Sequence, residues 1–203
     1  VGGGGRGLGG VGSVSVAVKD YKIGGSSRLP QKVGTPDDFQ TPPKVQDPLY
    51  PFLPCDWTIW ECAAGKGNLA RRLRERGYRV VSTDVLTDGL MEGDFLWIKR
   101  DCDAVLTNPP YSLKDEFLAR CYELCKPFAL LLPLTALEGL KRQALYRRHG
   151  LELIVMPHRI NFETPSRQGS GSWFSSAWYT WGLDVGSALT FWEAESGQGE
   201  LAL

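Results

Sequence analysis

The chain has 203 residues, a length that suits one α/β domain, and its contents of 42% hydrophobic and 23% charged residues are ordinary for a globular protein. Its formal net charge is zero, which weighs against a dedicated duplex-binding protein without excluding nucleic acid, and no apolar run approaches the roughly 20 residues of a membrane helix. Five scattered cysteines and two histidines exclude a disulfide framework, and they predict no metal site and a reducing, cytoplasmic compartment.

The first part of the chain predicts little packed structure. Residues 1–35 are dominated by glycine and other small residues, which bury too little apolar surface to offset chain entropy, so we expect a flexible tail. A proline-rich stretch follows at residues 35–54 and is too dense in proline for a regular helix, apart from a short turn near residues 44–49. We expect residues 36–203 to form a single domain.

From residue 57 onward, predicted strands alternate with predicted helices. Apolar runs predict strands at residues 57–62, 78–83, 95–98 or just before, 104–107, 128–132 and 151–156. Helical spacing and glycine stops predict helices at residues 67–76, 113–125 and 137–148. The last two predicted strands, 173–181 and 188–193, have no helix between them and indicate an antiparallel finish. The pattern is typical of a doubly wound, mostly parallel sheet with ligands at the carboxyl ends of its strands.

A glycine turn follows the first strand and opens the first helix: Glu61-Cys62-Ala63-Ala64-Gly65-Lys66-Gly67. Gly65 and Gly67 let the backbone turn sharply near a ligand, and small residues such as Ala63 keep that approach open. The turn lacks the full dinucleotide fingerprint and the lysine-serine pair of a phosphate loop. Asp84 ends the second predicted strand, where a carboxylate is placed to accept hydrogen bonds from both ribose hydroxyls. A purely structural turn would show the same local pattern.

A proline motif, Asn108-Pro109-Pro110-Tyr111, directly follows the strand predicted at residues 104–107. Two successive prolines fix the backbone and donate no hydrogen bonds. The side-chain oxygen of Asn108 and the carbonyl of Pro109 are therefore rigid acceptors, and Tyr111 offers a flat face. This combination suits a planar amine, whose two hydrogens would meet the two oxygens.

The two motifs together resemble those of S-adenosylmethionine-dependent amino-methyltransferases, especially the adenine-N6 DNA methyltransferases of phage and bacterial type. The resemblance covers roughly residues 38–193 and implies a Rossmann-like methyltransferase fold. It also implies that the glycine turn and the acidic end of the second strand bind S-adenosylmethionine, through Glu61, Ala63, Gly65, Gly67 and Asp84. The proline motif is then the catalytic segment that holds the target amine.

Two shorter segments extend the resemblance. Phe39-Gln40-Thr41-Pro42-Pro43 is similar to the family's Phe-x-Thr-Pro segment, whose phenylalanine, threonine and proline lie against the methionine end of the cofactor. Glu92-Gly93-Asp94-Phe95 is similar to the segment that holds the cofactor adenine. There the aspartate contacts the adenine amine and the phenylalanine lies against the ring.

The resemblance implies a nucleic-acid partner, DNA before RNA, and no metal or membrane. Only about 90 residues follow Tyr111, so we expect no separate target-recognition domain, and sequence specificity is expected to be minimal or to come from a partner. The polar, glycine-rich segment at residues 159–173 carries Arg159 and Arg167 and is the predicted substrate loop. An ordinary flexible connection is the alternative interpretation of that segment.

Other functions share the proline motif or its fold. RNA adenine methyltransferases carry the same tetrapeptide, as do enzymes that methylate a protein glutamine, because a carboxamide nitrogen is also planar and has two hydrogens. The non-enzyme alternative is a degenerate, non-catalytic subunit that binds nucleic acid. Failure to bind S-adenosylmethionine would favour that last alternative.

Overall fold

The computed structural model describes four stretches of the chain. They are residues 41–42, 44–85, 91–162 and 174–192. For Met91 and Glu92 only the backbone is described. The predicted tail, Phe39 and Arg167 lie outside the described residues, so the roles predicted for them stay predictions.

Eight strands among the described residues form one sheet. They are β1 (Thr58–Glu61), β2 (Arg79–Asp84), β3 (Met91–Glu92), β4 (Ala104–Thr107), β5 (Phe128–Pro133), β6 (Glu152–Val155), β7 (Ser176–Trp181) and β8 (Leu189–Phe191). Their spatial order is β3-β2-β1-β4-β5-β7-β6-β8. The order reverses between β1 and β4, which is where an open α/β sheet forms its ligand crevice.

The described strands pair in parallel except where β7 is involved. β7 lies antiparallel between β5 and β6, with Trp178 opposite both Leu131 and Ile154. β8 pairs in parallel with β6 at the edge of the sheet. The mostly parallel sheet with an antiparallel strand near its end is confirmed. The antiparallel part is β7 alone, because β8 crosses over to lie beside β6.

Helices cover both faces of the sheet, as a doubly wound fold requires. They are α1 (Asn68–Glu75) on one face, and α2 (Lys114–Leu124) and α3 (Leu140–His149) on the other. Leu69 and Leu73 of α1 are one turn apart and are both buried against β1, β4 and β5. Phe117 and Leu118 of α2 are buried in the opposite layer, whereas α3 buries no residue fully and lies at the surface.

Two local differences from the predicted elements have clear physical causes. Residues 95–98 form a turn, in which the Trp97 amide donates to the Asp94 carbonyl at 2.9 Å, and the short strand precedes it as β3. The helix predicted from residue 137 begins at Leu140, because a 3-10 helix at Leu134–Leu137 comes first. Gly139 then turns the chain with a φ of +98°, which side chains rarely tolerate.

The proline-rich segment packs on the same face as α1. It forms a 3-10 helix at Asp47–Phe52, slightly later than the predicted turn, with Leu49 buried inside it. The Trp178 indole donates a 2.8 Å hydrogen bond to the Val45 carbonyl and joins this segment to β7. None of the helices in the described stretches has the length and apolarity needed to cross a bilayer.

Candidate functional site

The glycine turn leaves β1 at Glu61 and enters α1 through Gly67. Gly65 and Gly67 have φ values of +52° and +74°, in the left-handed region that glycine adopts without strain. The Gly67 amide donates a 2.7 Å hydrogen bond to the Ala64 carbonyl and closes the turn. A Cβ on Gly67 would meet no atom within 4 Å, so it is the backbone angle that requires glycine there. The turn therefore presents open backbone at the carboxyl end of β1.

Asp84 lies at the carboxyl end of β2, directly beside this turn. Its Oδ2 accepts a 2.7 Å hydrogen bond from the Gly65 amide. The carbonyl of Thr83 accepts a bond of 3.2 Å from the Ala64 amide, and the carbonyl of Asp84 accepts one of 3.2 Å from the Gly93 amide. Three segments that the sequence predicts to share one ligand therefore meet at one edge of the sheet.

Asp94 and Phe95 divide between the surface and the core. Asp94 is half-buried, and its Oδ1 accepts a 3.0 Å hydrogen bond from the Leu96 amide. Phe95 is only 1% exposed. Its ring centroid lies 4.8 Å from that of Phe117, in a stacked arrangement, and 5.1 Å from that of Trp60. Phe95 therefore packs in the core of the domain, and its implied contact with a cofactor ring stays a prediction.

The proline motif begins at the carboxyl end of β4, the strand next to β1. The two strands pair in parallel, with Trp60 opposite Val105. The Thr107 hydroxyl donates a 3.1 Å hydrogen bond to Oε1 of Glu61, so the last residue of β4 contacts the last residue of β1. The glycine turn and the proline motif therefore leave adjacent strands at the same edge, where a doubly wound fold has its ligand crevice.

The proline motif itself is rigid. Pro109 is buried, and Oδ1 of Asn108 is shielded from solvent. Pro110 has a φ of −58°, and its carbonyl accepts a 2.9 Å hydrogen bond from the Leu113 amide in the 3-10 helix Tyr111–Leu113. The Pro109 carbonyl accepts no hydrogen bond within the described stretches.

Glu61 is a buried carboxyl between the two motifs. Burial raises its pKa to about 8; the charge of Asp84 adds to the rise and the Thr107 hydroxyl opposes it. Its Oε2 is shielded and accepts no well-formed hydrogen bond within the described residues. Glu61 is therefore mostly neutral at pH 7, and a cation beside it would favour the ionised form. Burial also raises the pKa of the neighbouring Cys62 thiol well above its usual value, which makes that thiol a poor nucleophile.

Two further aromatic residues, absent from the predicted site, contact Tyr111. Its ring meets those of Phe162 and Phe174 edge-on, with centroids 6.4 and 5.4 Å apart. Phe162 is buried, and its ring centroid lies 6.2 Å from that of Phe174. We call these three rings the aromatic cluster. The available sequence signal was their position, because Phe162 and Phe174 lie at the two ends of the predicted glycine-rich substrate loop.

The remaining predicted residues are less closely tied to the crevice. Thr41 is buried and Pro42 half-buried, but no described contact joins them to the glycine turn, so their role stays a prediction. Ala63 is half-buried inside the turn. Arg159 is exposed just past the carboxyl end of β6, at the same edge of the sheet as the proline motif, because β6 runs parallel to β4 and β5.

The crevice thus has two chemically different sides. The glycine-turn side offers open backbone, the Asp84 carboxylate and the buried Glu61 carboxyl. The proline-motif side offers rigid oxygens and aromatic rings. Such an arrangement suits a polar, partly cationic ligand on the first side and a planar amine on the second.

Comparisons with known proteins bear on the fold. No family model and no curated protein matches the chain. Among solved structures, a Pyrococcus horikoshii protein described as a candidate RNA methyltransferase is 15% identical, with a TM-score of 0.52, over 70% of this chain and 84% of its own. The methyltransferase subunit of a type I restriction-modification system from Streptococcus thermophilus is 20% identical, with a TM-score of 0.54, over 79% of this chain and 48% of its own. This chain thus spans about half the length of that subunit. At these identities the likeness shows the fold, which is that of Rossmann-like methyltransferases.

Proposed function

We propose that this chain is an S-adenosylmethionine-dependent methyltransferase that acts on the exocyclic N6 amine of adenine in DNA. The observation that carries the proposal is the adjacency of the glycine turn and the proline motif, joined by the hydrogen bond from Thr107 to Glu61. A cofactor site and an amine site on neighbouring strands would bring the methyl group and the nitrogen into one crevice. Methyl transfer depends on such proximity. The methyltransferase fold supports the same reaction class.

The residues around the glycine turn fit a cofactor that carries positive charge and a ribose. Oε2 of Glu61 is a shielded carboxyl oxygen without a well-formed hydrogen bond, which a cation would complement. Asp84 lies at the end of β2, where a carboxylate can accept hydrogen bonds from the ribose hydroxyls. The open space above Gly67 lets a ligand approach the backbone. We assign to this site Thr41, Pro42, Glu61, Ala63, Gly65, Gly67, Asp84 and Asp94.

The proline motif would bind and orient the amine. When bound, the cofactor supplies an activated methyl group, so the residues of this chain need only position the nitrogen. Oδ1 of Asn108 and the Pro109 carbonyl would each accept one N–H of the amine. Two such bonds favour a pyramidal nitrogen, whose lone pair is no longer spread into the ring. Positioning of this kind is worth up to roughly 7–11 kcal/mol in favourable cases.

The aromatic cluster would hold the base that carries the amine. Stacking of a base on one aromatic side chain is worth about 1–3 kcal/mol in proteins that bind single strands. A base in a duplex must first leave the helix, and this costs less for unstacked or single-stranded substrates. We therefore expect Tyr111 to stack on an extruded adenine, with Phe162 and Phe174 supporting the tyrosine ring.

The surface beside the aromatic cluster supports a nucleic-acid substrate. His158 and Arg159 are exposed past the end of β6, shortly before Phe162 in the chain. Arg159 at this edge would contact phosphates, which provide much of the affinity for nucleic acids. We propose that residues 36–203 act as a single catalytic domain, whose sequence specificity is minimal or comes from a partner.

The substrate is tested by offering labelled cofactor to separate pools. The full chain is incubated with tritiated S-adenosylmethionine and with duplex DNA, single-stranded DNA, RNA or protein, and the products are digested for mass spectrometry. We expect N6-methyladenine in the DNA digests, and none with the matched Asn108→Ala chain. Label found only on RNA adenine or on a protein glutamine would replace the DNA assignment. A chain that binds no cofactor in calorimetry would instead be a non-catalytic subunit.

A further inference from the structure

One arginine of α3 is mostly buried and contacts two other elements of the fold. Arg142 is mostly buried: its Nε donates a 2.8 Å hydrogen bond to the Ala136 carbonyl, and its Nη1 forms a 2.5 Å ion pair with Oδ1 of Asp115. Arg148, on the same helix, is exposed and donates no hydrogen bond within the described residues. A planar guanidinium can reach two acceptors in different directions at once, whereas a lysine ammonium cannot do so with the same geometry.

The first partner of Arg142 lies next to the proline motif. Asp115 is in the first turn of α2, four residues after Tyr111. The Leu113 amide bonds to the Pro110 carbonyl at 2.9 Å, and Nζ of Lys114 donates to the Tyr111 carbonyl at 3.2 Å. The motif and the start of α2 are therefore one hydrogen-bonded unit, and a shift of Asp115 would carry Tyr111 with it.

The second partner follows β5, the strand that lies beside β4 on the side away from β1. Ala136 belongs to the 3-10 helix that follows β5. The Leu134 amide of that helix donates a 2.9 Å hydrogen bond to the Ser175 carbonyl. Ser175 follows Phe174 in the chain, and the Phe174 ring packs against Tyr111. The contacts thus form a closed path that starts and ends at Tyr111.

We propose that Arg142 is a positioning residue that fixes the proline motif against the 3-10 helix that follows β5. This inference rests on the proposed methyl transfer for its effect on rate. Arg142 links α2 to the 3-10 helix after β5, so its loss would interrupt this closed path of contacts and let Asn108 and Tyr111 shift relative to the glycine turn. A misplacement of about 1 Å at a reacting centre can cost on the order of 100-fold in rate.

Gly139 provides a second way to test the same link. Its φ is +98°, and a Cβ there would lie 2.8 Å from Nη2 of Arg142. Gly139→Ala would therefore push the guanidinium aside without changing any charge, and it would also strain the backbone at this φ before α3. We expect it to reproduce the effect of Arg142→Gln.

The experiment compares Arg142→Gln, Arg142→Lys and Gly139→Ala with Arg148→Gln, which removes an exposed charge from the same helix. In the full chain, Arg142→Gln is expected to lower kcat about 10- to 100-fold with the Kd for S-adenosylmethionine unchanged within twofold. Arg142→Lys should restore only part of the rate, and Arg148→Gln should retain it. Hydrogen exchange of the amides at residues 111–118 should be at least about tenfold faster in Arg142→Gln than in Arg148→Gln.

The double variant Asp115→Asn/Arg142→Gln should be no slower than Arg142→Gln alone, since both break one link. Unchanged exchange at residues 111–118 in Arg142→Gln would overturn the proposal, as would a kcat within twofold of the wild type. A parallel loss of kcat and cofactor affinity would also overturn it, because it would indicate general destabilisation. If the wild type transfers no methyl group to any pool, the proposed function fails, and the exchange measurement alone decides the role of Arg142.

Discussion

The two sides of the crevice are held together in different ways. On the glycine-turn side, the segments are connected by hydrogen bonds from backbone amides: those of Ala64, Gly65 and Gly93 all donate to the end of β2. On the proline-motif side, side chains add to the backbone hydrogen bonds, namely the aromatic cluster and the ion pair between Arg142 and Asp115. Hydrogen bonds from backbone amides depend on the path of the chain, whereas contacts between side chains depend on the identity of each residue.

This difference predicts how substitutions will act. Changes on the glycine-turn side should alter cofactor affinity, because the cofactor would be bound by the turn and its acidic neighbours. Changes on the proline-motif side should alter the rate of transfer and the affinity for the substrate, and leave cofactor affinity intact. Each variant tests whether its residue affects cofactor affinity or the transfer step. A variant that changes both would contradict the separation of the two sides.

The largest effect is expected from Asn108→Ala. Loss of the amide oxygen removes one of two acceptors for the amine, so kcat should fall at least about 100-fold, while the Kd for S-adenosylmethionine stays within twofold. Transfer of tritiated methyl groups and calorimetric titration of the cofactor measure the two quantities. A variant that keeps more than a tenth of the wild-type kcat would remove Asn108 from its role.

Asp84→Ala should act on the other side of the crevice. Hydrogen bonds to a charged group are worth about 1.5–3 kcal/mol each, so the Kd for the cofactor should rise about 10- to 100-fold, with kcat little changed at saturating cofactor. Calorimetry measures the Kd, and Asp115→Asn is a control carboxylate outside the cofactor site. Unchanged cofactor affinity in Asp84→Ala would contradict the ribose assignment.

The pH dependence of cofactor binding should reveal Glu61. Its pKa of about 8 leaves it mostly protonated at pH 7, and a cationic ligand favours the ionised form. Cofactor affinity should therefore rise about fivefold between pH 7 and pH 8, with release of a proton. Calorimetry in buffers of different ionisation enthalpy measures both, and subtraction of the Glu61→Gln profile isolates this group. The same pH dependence of cofactor affinity in the wild type and in Glu61→Gln would show that the protonation of Glu61 does not affect cofactor binding.

The same carboxyl should also affect the stability of the ligand-free protein. Its folded pKa lies above the value near 4.5 for an unperturbed glutamate, so the folded state holds a proton that the unfolded state releases between these two pH values. Stability should therefore fall as pH rises from about 4.5 to 8. Glu61→Gln should flatten this decline in thermal unfolding, and an unchanged slope would argue against a raised pKa.

The smallest effect is expected from Phe162→Leu, which keeps an apolar side chain but removes one ring of the aromatic cluster. An aromatic pair is worth about 0.5–1.5 kcal/mol beyond its buried area, so KM for the nucleic acid should rise about 2- to 10-fold. Steady-state kinetics on single-stranded DNA measures this change. An increase in the Kd for the cofactor instead would place Phe162 on the wrong side of the crevice.

The division between the two sides also explains what the sequence could predict. β4 is predicted to the residue, because a short apolar run ends at Asn108 and its two prolines. The glycine turn and Asp84 are local features that follow adjacent parallel strands, so their meeting at one edge follows from the doubly wound pattern. Local chemistry and strand order together specify this half of the crevice.

The other half depends on contacts between residues that are distant in the chain. Arg142 and Asp115 are 27 positions apart, and nothing in the sequence distinguishes the mostly buried Arg142 from the other three lysine and arginine residues of α3. The aromatic cluster joins β4 to residues around β6 and β7, which no local spacing predicts. Phe95 shows the converse, since its place in a cofactor-like segment gave no sign that the ring packs between Phe117 and Trp60.

The central claim is that one crevice holds the methyl donor and the planar amine side by side. Calorimetry with a bisubstrate analogue, in which adenine N6 is linked to the cofactor at the position of the sulfur, tests it most directly. We predict that the analogue binds at least about tenfold more tightly than S-adenosylhomocysteine, that Asn108→Ala abolishes this gain, and that Asp84→Ala weakens both ligands equally. An analogue that binds no better than S-adenosylhomocysteine, or a gain that survives Asn108→Ala, would contradict the account.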